Sequence, residues 1–208
     1  MPSMKSTQAM PTTSPWVALA ILYVISAFSL ADRFILSILA PAIQTDLQLN
    51  DFMMGLLVGP AIAVVYSVMC VPLGHLADRV NRVRLLSACL AIWSVFTALG
   101  GLTVNAWQLA LTRFGVAAAE GGGAPSSISL IADYFPPERR ALASAIHASA
   151  TSVGMFIAFG IGGFVAQHLG WRVALVMIGM PGLLLAGVSL LWLREPNRGE
   201  CDGPTADP

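Results

Sequence analysis

The sequence predicts an all-α integral membrane protein, a bundle of six transmembrane helices. Three observations lead to this prediction. The 208 residues are 56% hydrophobic and only 11% charged, and the mean hydropathy is +0.75. The polar residues are gathered into short islands instead of recurring at the period of a soluble helix or strand. Between these islands lie six apolar runs, each long enough for the about 20 residues that a spanning helix needs.

Composition also excludes several classes of function. The formal net charge is zero, which gives no argument for a nucleic-acid partner. The three cysteines, Cys70, Cys89 and Cys201, lack the spacing of metal ligands, and the first two lie in apolar runs as small core residues. We therefore expect no metal, no cofactor and no nucleic acid.

The spans divide the chain into three regions. They cover residues 16–43, 55–76, 83–104, 107–132, 141–167 and 171–193. Asp32 and Arg33 interrupt the first span, which we expect to close at Pro41. A polar tail of residues 1–15 precedes the bundle, and residues 194–208 are polar and rich in Pro and Gly, as in a solvated linker.

Two spans contain residues that alter a regular helix or its packing. Three glycines and Pro125 follow Glu120 in the fourth span. They predict a distorted stretch, because they remove side-chain bulk and one backbone donor. In the fifth span Gly154, Ala158 and Gly162 recur at four-residue spacing, and such stripes let helix backbones approach closely.

The basic residues predict how the bundle is oriented. With a cytoplasmic amino terminus, eight Lys and Arg residues fall on the cytoplasmic side and only Arg172 on the other. Lys and Arg in short loops favour the cytoplasm, so we expect both termini there. We expect a multi-pass protein of a plasma membrane, the inner membrane of a bacterium. The eight residues are Lys5, Arg79, Arg82, Arg84, Arg139, Arg140, Arg194 and Arg198.

Four charged residues lie inside predicted spans, namely Asp32, Arg33, Arg113 and Glu120. A charge at the bilayer centre costs at least about 2.5–3.5 kcal/mol, so such residues usually face a polar cavity and mark a pathway. Arg113 and Glu120 are seven residues apart and share one helix face, about 10 Å apart along the axis. From depth alone we expect Asp32 to pair with Arg113. Glu120 is then the less compensated carboxylate and the candidate proton carrier; the alternative is that these charges only tie helices together.

His147 is a fifth candidate for the substrate or proton pathway. It lies about two turns into the fifth span, beside Ser144 and Ser149. A histidine there either relays protons or makes a polar contact within the bundle, and the sequence leaves both interpretations open.

Residues 74–84 resemble a known signature. The pattern Gly74-x-x-x-Asp78-Arg79-x-Asn81-Arg82-x-Arg84 is similar to the loop G-x-x-x-D-R-x-G-R-x-R/K between the second and third spans of the major facilitator superfamily. Asn81 stands where the signature has Gly, and Asn also tolerates a left-handed backbone. Asp32-Arg33, Arg113 with Glu120, and residues 129–140 narrow the resemblance to the spinster-like branch and neighbouring anion–cation symporters.

The resemblance implies an architecture and residue roles. The bundle would be the N-terminal half of a twelve-helix fold, with the four intramembrane charges lining its central cavity for proton coupling and substrate binding. We expect Asp78 to hold the loop, and Arg79 and Arg82 to reach toward Asp133 and Glu138. In the fifth span Phe159 replaces the Pro of the antiporter pattern, which argues against a drug antiporter. The implied cytoplasmic gate motif comprises Gly74, Asp78, Arg79, Asn81, Arg82, Arg84, Asp133, Arg139 and Arg140.

These features together predict a secondary active transporter and not an enzyme. We expect half of such a transporter, proton-coupled and moving an organic anion or amphiphile by alternating access, with a second six-helix half or a homodimer partner supplying the opposite wall. One alternative is a packing or regulatory module that pairs with another transporter half. A more remote one is a rhomboid-like intramembrane serine protease built on Ser126 or Ser127 with His147, although Pro125 stands before the serines.

Overall fold

The structure, a computed structural model, describes residues 13–199 and 201–202. Most of the predicted amino-terminal tail and the last residues of the predicted linker lie outside the described residues. Within the described part every regular element is helical, which confirms the all-α prediction. The elements are α1 (Pro15–Leu47), α2 (Asp51–Val58), α3 (Pro60–Ala77), α4 (Arg82–Gly100), α5 (Ala106–Glu120), α6 (Gly123–Tyr134), α7 (Pro137–Phe156), a π-helical segment (Ile157–Gly162), α8 (Gly163–Leu169) and α9 (Trp171–Trp192).

Five of the described helical segments are long and apolar enough to cross a membrane. They are Pro15–Leu47, Asp51–Ala77, Arg82–Gly100, Pro137–Leu169 and Trp171–Trp192. The fourth predicted span is divided between α5 and α6, of 15 and 12 residues. The division falls at Gly121 and Gly122, so the distortion predicted after Glu120 is present.

Two further breaks were not predicted. The second span is interrupted at Gly59, whose φ of −120° and ψ of −103° lie outside the helical region, and Pro60 then begins α3. The fifth span widens into the π-helical segment, where Phe159 takes the place of the proline in the antiporter pattern. Irregular backbone of this kind is tolerated in membranes where neighbouring helices or a cavity satisfy it.

The prediction that the first span closes at Pro41 is wrong. The helix continues through Pro41 to Leu47, and the cap residue Gln48 has a left-handed backbone with φ 52°. Proline removes one backbone hydrogen bond without requiring a helix to end. The connection to α2 is therefore shorter than the sequence indicated.

The core consists of two large apolar clusters, one toward each end of the bundle, and a small third one of Ala77, Leu85 and Cys89. One contains Leu22, Leu86 and Phe135, and it lies toward the end that carries residues 78–81, which we call the motif end. The other contains Ile35 and Leu175 and lies toward the opposite end. Helix α1 runs through both and packs against α7 and α9, while α4 packs along α9 and α5. The intramembrane charges of α1 lie at the junction of the two clusters.

The second span is far less covered than the others. In its most apolar stretch only 6% of the residues are buried, against 50% in the third span. Val64, Val68 and Val71 are each more than 60% exposed. Among the described residues nothing packs on this face, which we call the α3 face.

Gly154 lets α7 approach α1 closely, as the four-residue spacing predicted. A Cβ added at Gly154 would lie 2.6 Å from the carbonyl oxygen of Ala27 and 3.1 Å from the backbone nitrogen of Ala31. Both neighbours are backbone atoms and cannot turn aside, so the space at this crossing requires glycine.

We expect Gly154→Ala to lower the free energy of unfolding by about 1–3 kcal/mol, because the added methyl group forces two helices apart. Gly187→Ala in α9 is the matched control, since a Cβ there meets nothing within 4 Å. Unfolding of the purified chain in detergent, followed by circular dichroism, measures both. Equal midpoints for the two variants would contradict the close approach of α7 and α1.

Candidate functional site

The first intramembrane ion pair joins α1 to α5 and was predicted from the sequence. Arg113 Nη1 lies 3.2 Å from Asp32 Oδ2, and Thr97 donates to Asp32 Oδ1 at 3.0 Å. Only 1% of Asp32 and 3% of Arg113 is exposed. The pair is almost completely buried, although Nε and Nη2 of Arg113 have no hydrogen-bond partner in the described chain.

The second ion pair joins the same two helices and gives Glu120 a partner that the sequence had not identified. Arg33 Nε donates to Glu120 Oε2 at 3.0 Å, and Ser29 donates to Glu120 Oε1 at 2.9 Å. Consecutive helix residues point about 100° apart, so Arg33 faces Glu120 while Asp32 faces Arg113. The depth of the residues along their helices was enough to predict the Asp32–Arg113 pair. The Arg33–Glu120 pair depends on the direction in which each side chain points around α1.

The two pairs differ in exposure. The Arg33 side chain is 41% exposed, whereas the Glu120 side chain is 6% exposed. The guanidinium of Arg33 lies over the ring of Tyr66, with Cζ 4.2 Å from the ring centroid. Besides the bond from Nε to Glu120, the Arg33 side chain also interacts by hydrogen bonding with Tyr66. Its remaining N–H donors face the cavities that Arg33 lines.

Two cavities meet at this second pair. One, of about 160 Å³, reaches toward the motif end and is also lined by Ser127 and His147. The other, of about 400 Å³, lies on the opposite side and is also lined by the Asp32 and Arg113 pair. Three side chains belong to both linings, and we call them the shared wall. They are Arg33, Tyr66 and Glu120.

His147 lines the smaller cavity, and its Nε2 is buried without a hydrogen-bond partner in the described chain. The neighbouring serine does not supply one, since the Ser149 hydroxyl donates to the Ile146 carbonyl at 2.7 Å. The interpretation of His147 as a satisfied polar contact is therefore wrong for Nε2. That nitrogen is available to water or a ligand.

Sequence reasoning missed Ser29, Tyr66 and Thr97. Ser29 was within reach of a pattern argument, because it precedes Arg33 by four residues and so shares its helix face. Tyr66 and Thr97 lie on other helices, and no spacing in the sequence links them to the charges of α1. Among the described residues, no group of three or more His, Cys, Asp and Glu side chains is arranged to hold a metal ion.

At the motif end the gate motif is organised around Arg82, which is 1% exposed. Arg82 donates through Nη1 to Asp133 and, at 2.7 Å, to the Ser129 hydroxyl. It also donates through Nε to Glu195 at 2.7 Å and through Nη2 to the Pro196 carbonyl at 3.0 Å. One guanidinium therefore joins α4, α6 and the segment after α9, and the predicted contact of Arg82 with Asp133 is present.

Other details of the motif differ from the predictions. Gly74 lies inside α3, so the loop covers only residues 78–81. Asn81 is not left-handed: its φ is −66°, and its side chain caps α4 by accepting from the Arg84 backbone nitrogen at 2.8 Å. A capping side chain satisfies a free backbone donor, which explains why Asn replaces Gly here.

The structure does not bring together all the charges of the motif. Arg79, Arg84, Glu138 and Arg139 are exposed, and no side-chain ion pair of theirs is present in the described chain. The predicted reach of Arg79 toward Asp133 and Glu138 is therefore wrong, because Arg82 alone points into the bundle.

The predicted solvated linker is docked where the structure describes it, over residues 194–199 and 201–202. The Gly199 nitrogen donates to Asp133 Oδ1 at 2.9 Å, and Arg140 pairs with Asp202 at 2.5 Å. Arg198 donates to the Ala77 carbonyl at 2.7 Å and lies 3.7 Å from Asp78. The Asp78 side chain is 73% exposed and lies nearest to Arg198, so the prediction that it holds the loop together is wrong. Asp133 and Arg140 at the motif end therefore bind the tail, in addition to Arg82.

We expect Asp32→Asn to destabilise the chain by about 3–5 kcal/mol, because it leaves the charge of Arg113 buried without its partner. The double variant Asp32→Asn, Arg113→Gln removes both charges, so it should recover most of that loss. Unfolding in detergent of the wild type, both single variants and the double variant completes a mutant cycle. Additive effects would show that the two side chains do not interact.

We expect Arg82→Lys to release the docked tail, because an ammonium group cannot reproduce a planar fork that serves four acceptors. The native Cys201, half-buried in this tail, reports the release. Its modification by a membrane-impermeant maleimide, followed by mass spectrometry, should accelerate about tenfold, as for a loss of about 1.4 kcal/mol. Arg79→Lys is the control, and equal rates for both variants would contradict the role of Arg82.

The comparisons with known proteins agree with this geometry. The sequence model of the Major Facilitator Superfamily matches residues 22–205. An MFS-type efflux pump of Mycolicibacterium smegmatis is 36% identical over 85% of this chain and 41% of its own length. The probable galactarate/D-glucarate transporter GudP of Bacillus subtilis is 30% identical over 90% of this chain and 42% of its own.

Solved structures give the same result. An inward-facing, unoccupied bacterial homolog of the human lysosomal transporter Spinster has a TM-score of 0.81 and 34% identity, over 91% of this chain and 45% of that one. The inward-open xylose transporter XylE of Escherichia coli, at 15% identity and a TM-score of 0.70, shares the fold. This chain spans less than half the length of these relatives.

The family and these relatives are transporters, which confirms the prediction that the chain is not an enzyme and excludes the protease alternative. The resemblance drawn from residues 74–84 is confirmed as well. With its apolar helices and a family match over residues 22–205, this multi-pass integral membrane protein belongs to the major facilitator superfamily.

Proposed function

We propose that this chain forms one six-helix bundle of a proton-coupled secondary active transporter that moves an organic anion or an amphiphile by alternating access. The observation that carries the proposal is the Arg33–Glu120 pair in the shared wall. Arg33 is 41% exposed there, while its partner is 6% exposed. A cation open to two cavities and balanced by a covered carboxylate suits the binding of a substrate anion together with a proton.

The coupling follows from the arrangement of charge. Arg33 donates through Nε to Glu120, and its side chain is 41% exposed, so a substrate carboxylate can bind the same guanidinium. Two carboxylates at one arginine repel each other in a medium of low dielectric constant. A substrate anion is therefore accommodated more easily once Glu120 has taken up a proton, which links substrate binding to proton binding.

The Asp32–Arg113 pair serves a different purpose in this proposal. It lines the larger cavity, but both side chains are almost completely buried, and Thr97 holds the carboxylate. Such a pair keeps α1 and α5 aligned so that Arg33 and Glu120 remain opposite each other. It forms part of the pathway wall and sets the position of the exchanging pair.

The relatives suggest probes for the substrate. GudP of Bacillus subtilis is called a probable galactarate/D-glucarate transporter, and another relative from that organism, at 29% identity, is a hexuronate transporter. Sugar acids carry carboxylates that suit Arg33, so D-glucarate and D-glucuronate are the first anions to use, with an amphiphilic anion such as decyl sulfate beside them.

The α3 face is apolar and exposed, so it is suited to packing against a partner. Two-bundle transporters place the substrate between the bundles, and the open side of the shared wall needs an opposite wall. We propose that a second six-helix bundle, or a second copy of this chain, covers the α3 face. The arginines of the motif end favour the cytoplasm, so we place that end and both termini on the cytoplasmic side of a bacterial inner membrane.

The same exposed face favours a second candidate function, a packing or regulatory module that pairs with another transporter half. A cysteine introduced at Val68, which is 63% exposed, distinguishes the partners through bis-maleimide cross-linking in membranes. Self-linked dimers indicate a homodimer, whereas a cross-link to another transporter supports the module.

We expect Glu120→Gln to abolish the stimulation of anion uptake by a proton gradient, because the amide carries no exchangeable charge. Proteoliposomes containing the chain are prepared, and an inward proton gradient is either imposed or omitted. The uptake of labelled D-glucarate, D-glucuronate and decyl sulfate is then followed. Glu138→Gln is the matched control, since Glu138 is an exposed carboxylate at the motif end. A Glu120→Gln variant whose uptake still rises with the gradient as in the wild type would exclude Glu120 as the proton carrier.

A further inference from the structure

We infer that Tyr66 is a positioning residue for the anion: its ring holds the Arg33 guanidinium in the shared wall, with the Nη edge turned toward a substrate carboxylate. The inference rests on the proposed function in one respect, that Arg33 binds the transported anion. It adds a residue of the second span that no sequence motif marks, and it specifies how the anion approaches.

The geometry joins three helices at one point. Arg33 comes from α1, Glu120 from α5 and Tyr66 from α3, and the Arg33 Cζ lies 4.2 Å from the ring centroid of Tyr66. Val64 and Val68, two residues before and after Tyr66, are exposed. Residues two apart lie on nearly opposite helix faces, so Tyr66 is the inward side chain of an otherwise sparsely packed span.

Arg33 needs such a support. Its long side chain is 41% exposed, and in the described chain it is held by Glu120 and by Tyr66. When Glu120 takes up a proton, the bond from Nε loses its charged acceptor, and the ring becomes the main contact that holds the guanidinium. A cation over an aromatic face is attracted more strongly where water is scarce, as inside a bundle. Tyr66 thus keeps Arg33 in place in the state that receives the anion.

The stacking also determines the chemistry of the ligand. The ring covers one face of the guanidinium, and Nε is directed to Glu120. The edge formed by the two Nη groups is left, and a planar carboxylate binds such an edge through two parallel hydrogen bonds. The structure therefore points to substrates that present a carboxylate edge-on to Arg33.

A test that needs no ligand observes the arginine directly. In the ¹⁵N-arginine-labelled chain in lipid nanodiscs, the Nε–H signal of Arg33 is identified by its loss in Arg33→Lys. We expect Tyr66→Phe to keep the shift and the slow water exchange of this signal, since phenylalanine retains the aromatic face. Tyr66→Leu should remove the ring-current shift and accelerate the exchange. Unchanged spectra in Tyr66→Leu would overturn the inference.

A binding test measures the consequence for the anion. The dissociation constant of D-glucarate for the same nanodiscs, obtained by calorimetry, should rise about 2- to 30-fold in Tyr66→Leu and stay near the wild-type value in Tyr66→Phe. Tyr23→Leu in α1 is the matched control, because Tyr23 lines neither cavity. Equal constants for Tyr66→Leu and Tyr23→Leu would overturn the inference.

A third variant separates failure of this inference from failure of the proposed function. Arg33→Gln should abolish D-glucarate binding if Arg33 is the anion site. If Arg33→Gln binds like the wild type, or if the wild type binds no anion, the proposed function fails, and the arginine spectra alone decide whether Tyr66 positions Arg33. If Arg33→Gln loses binding while Tyr66→Leu retains it, only the role of Tyr66 is refuted.

Discussion

The burial of charge within an apolar bundle constrains most of this structure. Two acids and two arginines inside spans must compensate one another, because an isolated ion in a medium of low dielectric constant is prohibitively costly. Asp32 and Arg33 are consecutive in α1, so their partners lie in different directions around that helix. Arg113 and Glu120 satisfy both directions because they lie two turns apart on one face of α5. The two pairs thereby fix the rotation and the height of α5 against α1.

The same rule applies at the motif end, where a single buried guanidinium is compensated by two carboxylates. Arg82 is as buried as Asp32, and it is compensated by Asp133 from α6 and Glu195 from the tail. Glu195 also accepts from the Val83 backbone nitrogen at 3.0 Å, where the helix dipole of α4 favours a negative charge. The segment after α9 is therefore part of the fold at this end, and α4, α6 and the tail are held by one residue.

Much of this was predictable, and the failures share a cause. Spans follow from length and hydropathy, and the Asp32–Arg113 pair follows from depth along the helices. The partner of Glu120 depended on the direction around α1, which spacing between different helices does not give. The tail was predicted to be a solvated linker because it is polar and contains proline. Only its contacts with Arg82, through Glu195 and the Pro196 carbonyl, show that it is docked. In each case the missing information was a contact between distant parts of the chain.

The two ion pairs differ in exposure, and this difference decides which of them can bind a further ligand. In a pair whose side chains are both almost completely buried, such as Asp32 with Arg113, each ion has only the other to balance it, and breaking the pair costs several kcal/mol. Arg33 is exposed on one side and can receive a second anion while Glu120 stays covered. In the transporter that we propose, substrate access therefore depends on what faces the shared wall. A second bundle that alternately covers the motif end and the opposite end would let an anion reach the Arg33 guanidinium first through one cavity and then through the other.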